Sequence, residues 1–151
     1  MIMSHISFST WNPASYDLVA EEIDTRMEKT DFLCVTSSHH GHDLSKKRGY
    51  FCSEPSTVAG VFIRVSNEVL GSVISTVEVK ACFDRICAIK IRTSGQFHCI
   101  LICCYFPPSY SKSHMSIRTK MALEISRICR AQSRHDCVVL AGDLNCYLGS
   151  L

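Results

Sequence analysis

Near the N-terminus, Ile6, Phe8 and Thr10 alternate with polar neighbours in Ile6-Ser-Phe-Ser-Thr-Trp-Asn12-Pro13. A period of two predicts a half-buried strand, and Pro13, which has no N–H for a ladder, ends it at Asn12. The run from Phe97 to Tyr105 is apolar almost throughout and closes on Pro107-Pro108. It predicts a strand buried on both faces that stops at Tyr105 before a proline turn. A third apolar run, Cys137-Val-Val-Leu-Ala, leads into Gly142-Asp143-Leu144-Asn145. In Cys82–Arg92 the residues Cys87, Ile89 and Ile91 fall on one side and Lys90 and Arg92 on the other, the pattern of a sheet with one solvated face.

Two stretches carry the helical period instead. Ser15 is a candidate cap for a helix to about Lys29, with Val19, Ile23 and Met27 on one face and Asp17, Glu21 and Glu22 near its positive end. Ser113 is a candidate cap for a second helix to about Arg130, with Met121, Ile125, Ile128 and Cys129 inward. Its basic residues Arg118, Lys120, Arg127 and Arg130, with nearby Arg134, read as a solvated face. Strand, helix, strand, a run of strands, then helix and strand predicts a mixed α/β sandwich.

Chemistry collects where the strands end. Asp143 and Asn145 stand two apart, so on a continuing strand both side chains would point the same way, and Gly142 lets another backbone or a ligand come close. A carboxylate there can orient a water or a metal, and an amide can donate to a phosphate oxygen. Taken alone, the tetrapeptide reads better as a strand ending in an ordinary Asx turn.

Thr10-Trp11-Asn12, Tyr105-Phe106-Pro107 and Gly142-Asp143-Leu144-Asn145, in that order along the chain, resemble the endonuclease/exonuclease/phosphatase family with the deoxyribonuclease I-like fold. Ala59–Ser66 looks like the family's early sheet strand and Cys82–Arg92 like the strand after it. The Asp84-Arg85-Ile86 start is most similar to apurinic-type endonuclease domains of non-LTR retrotransposons and their craniofacial-development-protein-like relatives. The resemblance implies a four-layer α/β/β/α sandwich. It also implies a site of Asn12, Tyr105, Asp143 and Asn145, with Asn12 and Asp143 helping to hold Mg2+ and DNA as the substrate.

Two departures qualify what the resemblance implies. The family's metal-binding Glu falls on Ser37 in Asp31-Phe-Leu-Cys-Val-Thr-Ser-Ser-His-His40, and a hydroxyl brings no charge to a hard cation. The family also continues past Gly-Asp-x-Asn to further strands and a closing Ser-Asp-His that does acid/base work, and none of the seven histidines here stands in such a motif. Residues 1–151 therefore look like a partial domain, incomplete at the C-terminus. A sandwich so cut would expose a sheet edge open to a partner chain or to aggregation.

Composition narrows the classes. A net charge of +2 is too small for a bulk field that gathers nucleic acid, so any DNA contact must be local. Ten cysteines without a Cys-x-x-Cys pair, among them Cys34, Cys87, Cys99, Cys103 and Cys137 in strands, read as small buried hydrophobes. With no signal-like start and no run long enough to span a bilayer, the expectation is an intracellular protein, nuclear or cytoplasmic, with no membrane partner and no small-molecule cofactor. The loop of His39, His40, His42 and Asp43 has metal-ligating side chains but lacks spaced partners, and reads as polar surface. Three functions stay open: a metal-dependent DNA endonuclease, an impaired remnant of one, and a binding or scaffold protein on the same sandwich.

Overall fold

The computed structural model describes residues 5–13, 20–39, 43–93 and 97–146. Along these run β1 (Phe8–Trp11), α1 (Ala20–Met27), β2 (Phe32–Thr36), β3 (Tyr50–Cys52), β4 (Val61–Val65), β5 (Val73–Thr76), β6 (Ile86–Arg92), β7 (His98–Tyr105), α2 (Lys112–Arg130) and β8 (Cys137–Asp143). They form two four-stranded sheets, ordered β1-β2-β4-β3 and β5-β6-β7-β8. Each sheet has one parallel pair, β1 with β2 and β7 with β8, and the remaining pairs are antiparallel. Parallel neighbours need a crossover. In both pairs the crossover carries a helix, α1 in the first sheet and α2 in the second.

The period-two pattern decides which side chains face which layer. Phe32, Cys34, Val61, Ile63 and Val65 of one sheet meet Cys87, Ile89, Ile91, Leu101 and Cys103 of the other, with Ile6 and Phe8 packed beside them. On the outer face of the first sheet, Ile23 of α1 packs on Leu33, Val35 and Phe62, with Met27 alongside. On the outer face of the second, Met121 and Ile128 of α2 pack on Ile86, Ala88, Ile100, Ile102 and Cys104. The result is helix, sheet, sheet, helix: the four-layer α/β/β/α sandwich. Each fully buried Ile, Leu or Phe contributes roughly 1.5–3 kcal/mol, so the three clusters together hold the layers in register.

Several local expectations are corrected. Strand β6 starts at Ile86, because Cys82–Arg85 is a turn closed by Arg85 N–H to Cys82 O. Its second face is solvated only toward the C-terminal end, since α2 covers Ile86 and Ala88 while Arg92 is exposed. The cap of α2 is Ser111, whose side chain accepts from His114 N–H, so Ser113 already lies within the helix. Of the basic residues assigned to solvent, Arg127 instead pairs with Glu124, buried at 5% exposure, and donates to Glu78 O. All ten cysteines are free; Cys34, Cys87, Cys99 and Cys103 are buried as expected, but Cys137 is exposed because it opens β8, an edge strand among the described residues. Leu140 on the same strand is also exposed. Ser15, Asp17 and Val19 of the first helix, and His40 and His42, lie outside the described residues.

No helix among the described residues is long and apolar enough to cross a membrane.

Candidate active site

The two parallel pairs determine where the polar strand ends lie. Because β1 and β2 run in the same direction, Asn12 and Ser37, each just beyond its strand, leave the first sheet at the same end. Because β7 and β8 run in the same direction, Tyr105 and Asp143 are register partners at one end of the second. The two ends coincide. Asn12 Nδ2 donates to Asp143 Oδ2 at 2.9 Å, across 131 residues of sequence. All four positions therefore occupy one rim at the carboxyl ends of parallel strands, where α/β sheets commonly receive ligands.

Alternation aims these side chains. Leu101, Cys103 and Tyr105 on β7, like Val139 and Ala141 on β8, face the inter-sheet core, and Asp143 continues that row toward the first sheet. Ile6 and Phe8 belong to the same core, and Asn12 continues their row from the other side. The Asn12–Asp143 bond is thus the polar end of the layer that apolar residues fill elsewhere.

Asp143 is held at both oxygens. Asn145 N–H donates to Oδ1 at 3.0 Å, the Asx turn anticipated for the tetrapeptide, while Asn12 takes Oδ2. The turn corrects one expectation, because β8 ends at Asp143 and Asn145 does not continue its alternation. With φ at 43°, Asn145 instead turns its Nδ2 to Phe106 O at 2.8 Å. Gly142 is required where it stands. Its φ is +121°, and a Cβ there would run into the backbone of Cys104 on β7.

Two arginines support this rim, and neither was assigned to it from sequence. Arg118 Nη1 lies within hydrogen-bond distance of Pro107 O at 2.7 Å and of Leu144 O and Asn145 O, each at 3.2 Å. Its guanidinium also sits 5.2 Å from the Phe106 ring. It therefore pins the loop after β7 to the loop after β8. Arg85, whose backbone carbonyl accepts from Tyr105 N–H, places its guanidinium 5.4 Å from the Tyr105 ring and brings a cation to the rim. No sequence signal marks either, since an arginine on a helix or at a strand start reads as surface until its carbonyl or ring partner is known.

Position 37 supplies no ligand charge. Ser37 is buried at 8% exposure with φ at 53°, and its Oγ lies 3.4 Å from His39 Nε2. The strand-end residues thus offer one carboxylate, Asp143, whose oxygens both already accept from N–H groups. No three His, Cys, Asp or Glu side chains gather into a metal-holding group among the described residues. A hard divalent cation wants several oxygen ligands with carboxylate charge among them, and this donor set does not fit Mg2+.

No family model matches the sequence, and no curated protein matches it. Among solved structures, a 3' phosphatase from Neisseria bound to product DNA hairpin is similar with a TM-score of 0.68 at 15% identity, over 93% of this chain and 58% of its own. An AP endonuclease from Archaeoglobus fulgidus gives 0.64 at 17% identity, over 92% and 57%. The endonuclease domain of TRAS1, a telomere-specific non-LTR retrotransposon, gives 0.64 at 16%, over 95% and 62%. The fold shared with these structures is the deoxyribonuclease I-like fold. The chain spans less than two thirds of the length of each of these structures.

Proposed function

We propose that this chain is a nuclease-fold domain of retroelement-endonuclease descent. Its Asn12, Tyr105, Asp143 and Asn145 rim meets a DNA phosphodiester, and its hydrolytic chemistry is impaired by the missing carboxylate at position 37. The observation that carries this reading is the Asn12–Asp143 hydrogen bond, which brings the first and last of the three motifs into one constellation. A carboxylate fixed at both oxygens has a defined direction in which to accept from a water. Arg85 beside Tyr105 supplies the positive charge that a phosphate oxygen needs. Against this, Asp143 without a cation repels the same phosphate, by about 1 kcal/mol at 4 Å in water and about 4 at an effective dielectric of 20. The rim therefore favours weak, salt-sensitive contact over turnover.

The test is a plasmid-nicking assay with and without Mg2+, run beside fluorescence anisotropy on a labelled oligonucleotide. The chain should nick no faster than its Asp143→Ala variant and should bind DNA at low salt. Mg2+-dependent nicking that Asp143→Ala abolishes would overturn the impairment, and absence of binding at low salt would overturn the DNA contact.

A further inference from the structure

A cleft of about 700 Å3 opens beside Asp143, lined by Pro108, Tyr110, Gly142, Leu144 and Asn145. This lies within the roughly 300–1,000 Å3 of ligand clefts. Tyr110 is 82% exposed, the extreme among large hydrophobic side chains of the described residues, on a wall of a cleft that also contains the rim carboxylate. A single exposed ring is ordinary on a protein surface; what singles out Tyr110 is that its amphipathic ring lines the same cleft as Asp143, where a flat ligand seated at the rim would cover it.

The ring is not loose. Pro107 and Pro108 restrict the backbone before it, and Ser111, the cap of α2, fixes the backbone after it. His114, one turn into α2, meets it edge-on with ring centroids 5.3 Å apart and planes at 64°. An edge-on neighbour supports the ring while leaving a face free. A preorganised ring loses little entropy when a flat partner stacks on it.

We propose that Tyr110 is a stacking platform for an unpaired nucleobase next to the phosphodiester held at the rim. This rests on the phosphodiester reading above and names its substrate class as single-stranded or frayed DNA. Stacking is indifferent to charge, so it supplies affinity where Asp143 opposes the phosphate. It also needs a base whose face is not covered by duplex neighbours.

The experiment is anisotropy titration of the chain, Tyr110→Ala and Tyr110→Phe against three labelled probes of equal length: a single strand, the same strand built entirely of abasic spacers, and the duplex. Tyr110→Ala should bind the single strand roughly tenfold more weakly, in line with the loss of one base–aromatic stack. Tyr110→Phe should match the parent, and all three proteins should bind the abasic strand equally. In a Tyr110→Trp variant the added indole fluorescence should be quenched by the single strand and not by the abasic one. Equal binding of the single strand by the parent and Tyr110→Ala would overturn the platform and leave the phosphodiester reading standing. No binding of any probe by the parent would overturn both. Tyr110 contributes little to the core, so circular dichroism of Tyr110→Ala should match that of the parent.

Discussion

Asn12 Nδ2 sits 2.9 Å from Asp143 Oδ2, joining the residue just past the first strand to the last residue of the eighth. Asn12 follows β1 and Asp143 ends β8, which are edge strands of different sheets among the described residues, so this bond is also a link between the two sheets at the rim. The apolar layer behind it, Phe8 with Phe32 on one side and Tyr105 with Ala141 on the other, brings the two edges close enough to meet.

Replacing Asp143 by Asn keeps the shape and an acceptor for Asn12 but removes the negative charge. In metal-free buffer at low salt, Asp143→Asn should bind a DNA oligonucleotide roughly threefold to tenfold more tightly, since a like charge near the phosphate is gone. The gain should shrink above about 0.15 M salt. Anisotropy at two ionic strengths checks this, and weaker binding by the variant would show that the carboxylate contributes attraction through a bound cation.

Ser37→Glu places a carboxylate just beyond β2, on the same rim as Asp143. Calorimetric titration of Mg2+ should show poor affinity for the parent and a clear gain, about tenfold or more, for the variant. Tight binding by the parent with no gain on substitution would mean that other residues complete the site.

Arg118→Ala removes the link among Pro107 O, Leu144 O and Asn145 O. A hydrogen bond from a charged group contributes about 1.5–3 kcal/mol, so chemical denaturation should show a loss of that order. Amide exchange should accelerate at residues 144–146 ahead of the strands. Arg118→Lys should recover only part of it, because a single ammonium lacks the planar fork that also lies over Phe106. Unchanged exchange in the loop would remove Arg118 from the site's support.

Glu124 gives the fold an acid-sensitive tie. Arg127 donates to both of its oxygens and Lys80 N–H to one, and the Arg127 bond is the main cause that holds its carboxyl below the ordinary 4.5, against the opposing effect of burial. A depressed folded-state value stabilises above the unfolded value and loses that contribution as pH falls through the folded one. Thermal melts should therefore show the parent losing more stability than Glu124→Gln as pH drops from about 5 toward 3. Parallel curves would mean that the pair is as well satisfied uncharged.

Much of this was legible in the residues. The alternation of Ile6 and Phe8, the apolar run ending at Tyr105 and the run ending at Asp143 identify strands β1, β7 and β8, and the spacing of Met121, Ile125 and Ile128 identifies α2. Where the reading slipped, a partner distant in sequence had changed a local rule. Asn145 left the strand alternation because Phe106 O was there to accept its side chain. Arg127, its side chain still 37% exposed, was drawn into an ion pair because Glu124 lay buried beside it. Cys137 stayed exposed although its run is apolar, because it lies at the start of an edge strand.

The sequence by itself determined the periodicities, and with them the helices, the strands and the side chains each would bury, since these depend on residues a few positions apart. It also determined that position 37 is a serine and thus carries no charge for a cation. Only the tertiary structure decided that Asn12 meets Asp143, that Arg118 joins two loops and that Tyr110 borders the cleft. Those relationships depend on which strands pair and in which direction, and the order β1-β2-β4-β3 packed against β5-β6-β7-β8 is set by the burial of whole faces rather than by any short run of residues.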